Sequence, residues 1–124
     1  MKAISLTPDN KVTKIIKREG RGPLPQTGQI VVLKYEGRIK STGNVFDSSK
    51  INRENFKFIL GKDDVIDGLT IAVSSMHWGE KSSFVIDPQY GYGKKGNIPT
   101  IPPNAVLEFD IELNDVRDKF YNAI

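Results

Sequence analysis

Cysteine is absent from the 124-residue sequence, and histidine and tryptophan each occur once. Without a thiol there is no cysteine nucleophile and no disulfide framework. With His77 as the single histidine, a clustered His/Cys zinc site cannot be assembled. A Ser-His-Asp triad would depend on His77, which lies in the turn-like segment 76–79 without a nucleophile-elbow motif. The sequence therefore predicts no metal and no other cofactor.

Long apolar runs are missing as well. No stretch approaches the roughly 18 apolar residues that a membrane span requires. The first residues, Met1 to Thr7, lack the apolar core of a secretory signal. Without cysteine there can be no disulfides, which slightly favours an intracellular compartment. We therefore expect a soluble protein without a membrane partner, located in the cytoplasm, with the nucleus as the alternative compartment.

A modest excess of positive charge, +3 at pH 7, comes with a cluster of basic residues early in the chain. These residues are Lys11, Lys14, Lys17, Arg18 and Arg21. Two interpretations are open, a solvated basic edge and a phosphate-binding surface. Because no stacking aromatics are interleaved with the basic residues and no RNA-recognition signature is present, the sequence favours the solvated edge. Nucleic acid is not the expected partner.

The segment Gly91–Gly96 has the G-x-G-x-x-G spacing of dinucleotide-binding loops. That fingerprint requires a buried strand before the glycines and a helix that begins after them, with its N-terminus at the phosphate. Here Pro88 precedes the glycines, and Pro99 and Pro102 follow them. The prolines predict a long surface loop instead of a nucleotide site.

Alternating apolar and polar residues indicate several strands. The clearest is 107–113, where Leu107, Phe109, Ile111 and Leu113 would lie on one buried face. Further strands are predicted at 12–17, at 31–35 with an end at Gly37, at 55–60, and at 82–87 before Pro88. Half-polar strands with short connections are typical of an antiparallel sheet.

One internal helix is predicted over 65–73, where Ile66, Leu69, Val73 and Met76 recur at helical spacing after the capping residues 63–64. A short helix on a curved antiparallel sheet is an α+β architecture. Its apolar pocket would form between helix and sheet. At the C-terminus, 114–115 could cap a second helix with Val116, Phe120 and Ile124 on one stripe. Two readings of this tail stay open, an ordinary terminus and the start of a helical region.

In order and spacing, several motifs resemble the FKBP family of peptidyl-prolyl isomerases, which bind the macrolides tacrolimus and rapamycin. The resemblance covers about residues 12–113. It implies a twisted antiparallel sheet wrapped around one short helix, with an N-terminal extension (1–11), an isomerase domain (12–115) and an amphipathic tail (116–124). The motifs that carry it are Tyr35-Glu36-Gly37, Val45-Phe46-Asp47-Ser48-Ser49, Phe56-Lys57-Phe58-Ile59-Leu60-Gly61, Val65-Ile66-Asp67-Gly68, Tyr90-Gly91-Tyr92-Gly93 and Ile101-Pro102-Pro103-Asn104-Ala105-Val106-Leu107-Glu108-Phe109.

The resemblance also implies a binding pocket and roles for its residues. Aromatic and aliphatic side chains would hold the prolyl ring, while the Ile66 N–H and the Tyr92 hydroxyl would bind substrate carbonyls. Asp47 would be an electrostatic and orienting group, and Tyr35 would complete the catalytic set. Polar groups such as Asp47 are costly to bury among apolar neighbours without partners, which favours a site over ordinary core. The implied pocket residues are Tyr35, Phe46, Asp47, Phe56, Val65, Ile66, Leu69, Tyr92, Ile101 and Phe109.

The sequence departs from the family pattern at several positions. Leu69 stands where the family typically has a tryptophan at the pocket floor, which implies weaker contact with the prolyl ring. Asn52 replaces the arginine that commonly supports the aspartate, although Arg53 is adjacent. Thr100 stands at a loop tip where the family usually has an apolar residue. Trp78 lies just after the predicted helix, which is an unusual place for a tryptophan in the family.

Three functions remain open from the sequence. The first is an active isomerase that acts on proline-containing proteins and peptides and binds tacrolimus- or rapamycin-like macrolides. The second is a weakly active or inactive FKBP-like binding module of a co-chaperone, with a chaperone as partner. The third, a nucleic-acid-associated domain, depends only on the basic edge. We expect a monomer in each case.

Overall fold

The computed structural model describes residues 2–49 and 55–118. Within these ranges the chain forms an antiparallel sheet and one short helix, which confirms the predicted α+β class. None of the described helices has the length and apolarity needed to cross a membrane. The elements are β1 (Ile4–Ser5), β2 (Val12–Arg18), β3 (Ile30–Ile39), β4 (Val45–Ser48), β5 (Phe56–Ile59), α1 (Asp67–Ser74), β6 (Lys81–Ile86), a 3-10 turn (Pro88–Tyr90) and β7 (Leu107–Arg117).

The sheet is ordered β1-β2-β6-β7-β3-β4, and β5 also pairs with β3. β3 pairs with β7 along one edge over its whole length. On its other edge it pairs first with β5, along Ile30–Leu33, and then with β4, along Glu36–Arg38. Between these two partners, the Tyr35 N–H donates to Ser49 Oγ at 3.1 Å. The edge of the sheet is therefore split at Tyr35.

Gly37 lies inside β3, and the prediction that the strand ends there is wrong, because pairing continues to Ile39. A Cβ atom at position 37 would lie 2.7 Å from both Phe46 Cζ and Phe109 Cε1. The missing side chain therefore leaves room for two aromatic rings to pack directly over the strand.

Strand β7 has the predicted buried face, since Leu107, Phe109, Ile111 and Leu113 are all at most 3% exposed. It also continues to Arg117, so the predicted helix after 114–115 is wrong for residues 114–117. A register shift opposite β3 lets residues 115–117 pair with 30–32. The predicted stripe residues Phe120 and Ile124 lie outside the described residues.

Helix α1 packs one face on the sheet, with Leu69, Ala72 and Val73 buried and Met76 fully buried just beyond its end. It begins at Asp67, two residues later than predicted. The prediction of an aspartate cap is also wrong, because Ile66 is the N-cap and no side chain caps it. The Asp63 carboxylate instead accepts a hydrogen bond of 2.8 Å from the Ile59 N–H.

Lys14 is only 5% exposed, so its predicted place on a solvated basic edge is wrong. Its ammonium Nζ lies 2.9 Å from Glu80 Oε2 and donates to the Ser75 carbonyl at 2.9 Å. On the same strand, Arg18 forms an exposed ion pair of 3.2 Å with Glu112. Two of the five basic residues of this cluster, Lys14 and Arg18, are therefore paired with carboxylates of the same chain.

The first residues of the chain contact the body of the domain. β1 pairs antiparallel with β2. In the turn between them, the Asp9 carboxylate accepts hydrogen bonds from the Thr7 hydroxyl at 2.6 Å and the Tyr90 hydroxyl at 2.8 Å. These bonds hold the pKa of Asp9 below its usual value. The turn is thereby fixed to the 3-10 segment that leads into the loop 91–106.

Candidate functional site

A pocket of about 170 Å³ opens where the split edge of the sheet faces the start of α1. Strands β3, β4, β5 and β7 supply its aromatic wall, the chain around the start of α1 supplies a second side, and the loop after the 3-10 turn supplies a third. Its lining residues are Tyr35, Phe46, Asp47, Phe56, Asp64, Val65, Ile66, Leu69, Tyr92 and Phe109.

Every predicted pocket residue except Ile101 lies in this wall. Ile101 is 2% exposed and packs in the hydrophobic core instead. The structure adds one residue that the sequence did not predict, Asp64. The only signal for it was its position directly before the Val65-Ile66 pair.

The aromatic rings of the wall contact one another in tilted and edge-on arrangements. The Tyr35 ring centre lies 5.4 Å from that of Phe56 and 6.4 Å from that of Phe109. Phe46 meets Phe109 at 5.7 Å with an interplanar angle of 87°. Such tilted or edge-on contacts are favourable for aromatic rings and fix their orientation. The wall is therefore a preformed apolar surface.

Two tyrosines place polar groups in this apolar wall. The Tyr35 hydroxyl donates a hydrogen bond to Asp47 Oδ2. Burial, together with this bond and the negative charge of Asp47, raises the pKa of Tyr35 well above its usual value. Burial and the charge of Asp47 also raise the pKa of Tyr92. Both phenols are therefore neutral at physiological pH and can act as hydrogen-bond donors.

Two donors of the wall are not used by the described part of the chain. The Ile66 N–H precedes the first turn of α1, and it donates no hydrogen bond to a described residue. Within residues 2–49 and 55–118, burial and the charge of Asp47 act on the Tyr92 hydroxyl, but no hydrogen bond does. Donors in an apolar pocket are suited to carbonyl oxygens of a ligand, because a carbonyl would otherwise be desolvated without a partner.

Leu69, 6% exposed, extends from α1 into the pocket. Two other departures from the family pattern, Trp78 and Thr100, lie outside the lining. The Trp78 indole is 46% exposed and donates to the Asn114 carbonyl at 2.8 Å, and the exposed Thr100 hydroxyl donates to the Asn97 carbonyl at 3.3 Å. Asn52 and Arg53 lie outside the described residues.

Other depressions of the surface have a different chemistry. One, of about 240 Å³, is lined by Lys34, Glu36, Lys81, Asp110 and Glu112 among others. Charged side chains of both signs surround it, and its single aromatic residue is Tyr35. The smaller pocket beside α1 has the apolar lining and the few polar groups typical of a ligand site, and we take it as the candidate site.

The site contains groups that bind and orient but no cysteine or histidine that could attack a substrate. Asp47, its one predicted catalytic carboxylate, accepts the Tyr35 hydroxyl proton in a hydrogen bond and is thereby oriented. The arrangement therefore favours a reaction that needs desolvation and hydrogen bonds to carbonyls but no covalent intermediate.

Comparison with known proteins gives a consistent result. The model of the family described as FKBP-type peptidyl-prolyl cis-trans isomerase matches residues 22–114. The human protein named peptidyl-prolyl cis-trans isomerase FKBP4 is 41% identical over 120 residues, which are 94% of this chain and 26% of that protein. The 46 kDa FK506-binding nuclear protein of Spodoptera frugiperda is 39% identical over 98 residues, 79% of this chain and 24% of that protein. This chain thus spans about a quarter of the length of these relatives.

Solved structures agree with the sequence matches. The N-terminal domain of FKBP42 from Arabidopsis thaliana superimposes with a TM-score of 0.88 at 30% identity, covering 95% of this chain and 94% of that one. FkpA from Escherichia coli superimposes with a TM-score of 0.80 at 36% identity, covering 90% of this chain and 51% of that one.

Proposed function

Because this chain belongs to the FKBP-type peptidyl-prolyl cis-trans isomerase family, we propose that its pocket accelerates cis-trans rotation about Xaa-Pro bonds in peptides and proteins. The observation that carries the proposal is the convergence on one apolar pocket of an aromatic wall, the Tyr35–Asp47 pair and two unused donors.

The reaction suits a site without a nucleophile. Rotation about a prolyl bond is slow because the planar amide must lose its resonance, with a barrier of about 18–20 kcal/mol. A twisted amide carries less charge separation than a planar one, so an apolar environment raises the free energy of the planar ground state more than that of the transition state. Desolvation by the pocket lowers the barrier, and no proton has to move.

Each part of the wall has a role in this reaction. The rings of Tyr35, Phe46, Phe56 and Phe109 hold the prolyl ring, with Leu69 beneath it. The Ile66 N–H and the Tyr92 hydroxyl bind substrate carbonyls and fix the chain on either side of the rotating bond. Asp47 orients the Tyr35 hydroxyl and sets the electrostatic potential of the pocket.

The same pocket is proposed to bind tacrolimus- or rapamycin-like macrolides, which offer carbonyl groups to the two donors. One relative carries FK506 binding in its name, which supports this extension. Phe46 and Val65 would contact the ligand at the edge of the wall. A monomer located in the cytoplasm or, as in the named nuclear relative, in the nucleus remains our expectation.

A weakly active binding module of a co-chaperone is the second candidate. Leu69 favours it, because an isobutyl group offers less surface to the prolyl ring than the tryptophan typical of the family. The two candidates differ in rate rather than in pocket architecture, so a kinetic experiment separates them.

The test is the isomerisation rate of a short Xaa-Pro peptide, measured by protease coupling with and without rapamycin. We expect acceleration that rapamycin inhibits, and a loss of about tenfold in kcat/KM for Asp47→Ala, equivalent to about 1.4 kcal/mol. Asp118→Ala is the control, since this exposed carboxylate lies outside the pocket lining and bonds to Gln29. No acceleration by the parent chain but a gain in Leu69→Trp would favour the binding module. If neither the parent chain nor Leu69→Trp accelerates isomerisation or binds the peptide, both candidate functions are refuted.

A further inference from the structure

Asp64 lines the pocket but has no part in the proposed reaction. It is exposed and makes no hydrogen bond or ion pair with the described residues. Its neighbour Asp63 differs, because its carboxylate accepts the Ile59 N–H and it does not line the pocket. Asp67, in the first turn of α1, is also exposed and also lies outside the lining. Among residues 2–49 and 55–118, Asp64 is thus an acidic group at the pocket without a hydrogen-bond or ion-pair partner.

The position of Asp64 in the chain places it near the substrate residue that adjoins the proline. Ile66, whose N–H is proposed to bind a substrate carbonyl, is two residues further on, so the two Cα atoms are at most about 7 Å apart. The prolyl ring itself would lie against the aromatic wall. A side chain next to the proline would instead extend past the carbonyl bound to Ile66, within reach of the Asp64 carboxylate.

Among the described residues, the pocket lining contains acidic side chains but no basic ones. Its described lining contains two carboxylates, Asp47 and Asp64, and no lysine, arginine or histidine. Tyr35 donates to Asp47, whereas Asp64 faces solvent with no cation beside it among the described residues. A cationic substrate side chain gains Coulomb energy here, and an anionic side chain loses it.

We propose that Asp64 is a specificity-determining residue that favours substrates with lysine or arginine beside the proline and disfavours those with glutamate or aspartate. This inference rests on the proposed function, since it concerns the substrate class of the same pocket. Exposed ion pairs are weak and screened by salt, so the expected preference that Asp64 contributes is about two- to fivefold.

The experiment uses two series of tetrapeptides, Ala-Xaa-Pro-Phe and Ala-Ala-Pro-Xaa, with lysine, glutamine or glutamate at Xaa. Exchange spectroscopy by NMR gives the catalysed rate without a coupling protease, whose own charge preference would interfere. The ratio of kcat/KM for lysine to that for glutamate is measured for the parent chain, Asp64→Asn and Asp67→Asn. Asp67→Asn is the matched control, since it removes the same charge nearby but outside the pocket lining.

We expect Asp64→Asn to lower the lysine-to-glutamate ratio two- to fivefold in at least one series at low salt, with a smaller effect at 1 M salt. Asp67→Asn should leave the ratio within about 1.5-fold, because its exposed carboxylate lies outside the pocket lining and is screened by solvent and salt. An unchanged ratio for Asp64→Asn in both series, or an equal fall for Asp67→Asn, would overturn the proposal.

Failure of the proposed function has a different signature. If no peptide is isomerised faster, that function fails, and the Kd values of the same peptides from NMR titration then give the lysine-to-glutamate ratio. A fall in that ratio with Asp64→Asn would still support the role of Asp64 in recognition. No measurable binding of any peptide would overturn both proposals.

Discussion

Replacing Glu80 by glutamine removes the negative charge from a buried ion pair. Glu80 is fully buried, and its Oε2 accepts from Lys14 Nζ at 2.9 Å and from the Ser82 hydroxyl at 2.8 Å. Its Oε1 accepts from the His77 N–H at 3.2 Å. Glutamine has the same shape, but its NH₂ group would have to face one of these donors. The substitution also leaves the Lys14 ammonium buried without its counter-charge.

Removing one partner of a buried ion pair typically costs 3–5 kcal/mol, and glutamine keeps one acceptor. We therefore expect the free energy of unfolding to fall by about 3 kcal/mol, which corresponds to a decrease in Tm of about 12 °C. Lys14 Nζ also binds the Ser75 carbonyl just after α1. Loss of the pair should thus loosen the helix that supplies Leu69, and peptide binding should weaken with stability.

Urea unfolding followed by circular dichroism measures this loss. The control is Glu112→Gln, the same substitution in the exposed pair with Arg18, whose side chains are 29% and 55% exposed. There we expect a change of at most about 0.5 kcal/mol. The double variant Lys14→Met/Glu80→Leu should be more stable than Glu80→Gln, because no unpaired charge is left. A loss below about 1 kcal/mol in Glu80→Gln, or one equal to the control, would refute the reasoning.

Three further predictions concern the pocket. The pKa values of Tyr35 and Tyr92 are raised in the folded state, so these tyrosines ionise first in the unfolded chain, near pH 10. The free energy of unfolding should therefore fall as the pH rises above about 10. Urea unfolding measured from pH 8 to 11 checks this, and Tyr35→Phe should make the fall smaller. Gly37→Ala should cost about 1–3 kcal/mol of stability, because its Cβ would overlap two aromatic rings, and should weaken peptide binding measured by NMR titration. Trp78, the single tryptophan, lies outside the pocket lining, so its fluorescence should not respond to peptide binding in the parent chain, whereas Leu69→Trp should add a signal that does.

Much of the sheet could be predicted because strict alternation marks strands that have one wet face, and β7 is the clearest case. Gly37 differs from the prediction because glycine usually interrupts a strand, whereas here the lack of a Cβ lets two rings pack over the sheet. The signals for a helix cap at Asn114 and Asp115 are local, and they were overridden by pairing with residues more than 80 positions earlier in the chain. Local pattern does not contain that information.

The resemblance indicates the aromatic residues of the site. The positions and partners of charged side chains are much harder to predict. The residues of the aromatic wall belong to motifs whose order and spacing resemble the family, and Tyr35, Phe46 and Phe109 line one pocket in the structure. The burial of Lys14 cannot be predicted from the local sequence, because its partner Glu80 is 66 residues away and no local spacing indicates the pair. The sequence does not indicate that Asp64 lines the pocket, because an aspartate before a helix is usually a capping residue. Only the pocket geometry distinguishes it from Asp63.

The position of β7 has a consequence for how the chain is made. β7 lies between β6 and β3, so it joins two groups of strands that do not otherwise pair. It is also the last described strand to leave a ribosome, and it carries Phe109 of the pocket wall. While only residues up to about 106 have emerged, the nascent chain has neither a continuous sheet nor a complete pocket. The proposed activity should therefore appear in one step, when the segment 107–117 is inserted into the sheet.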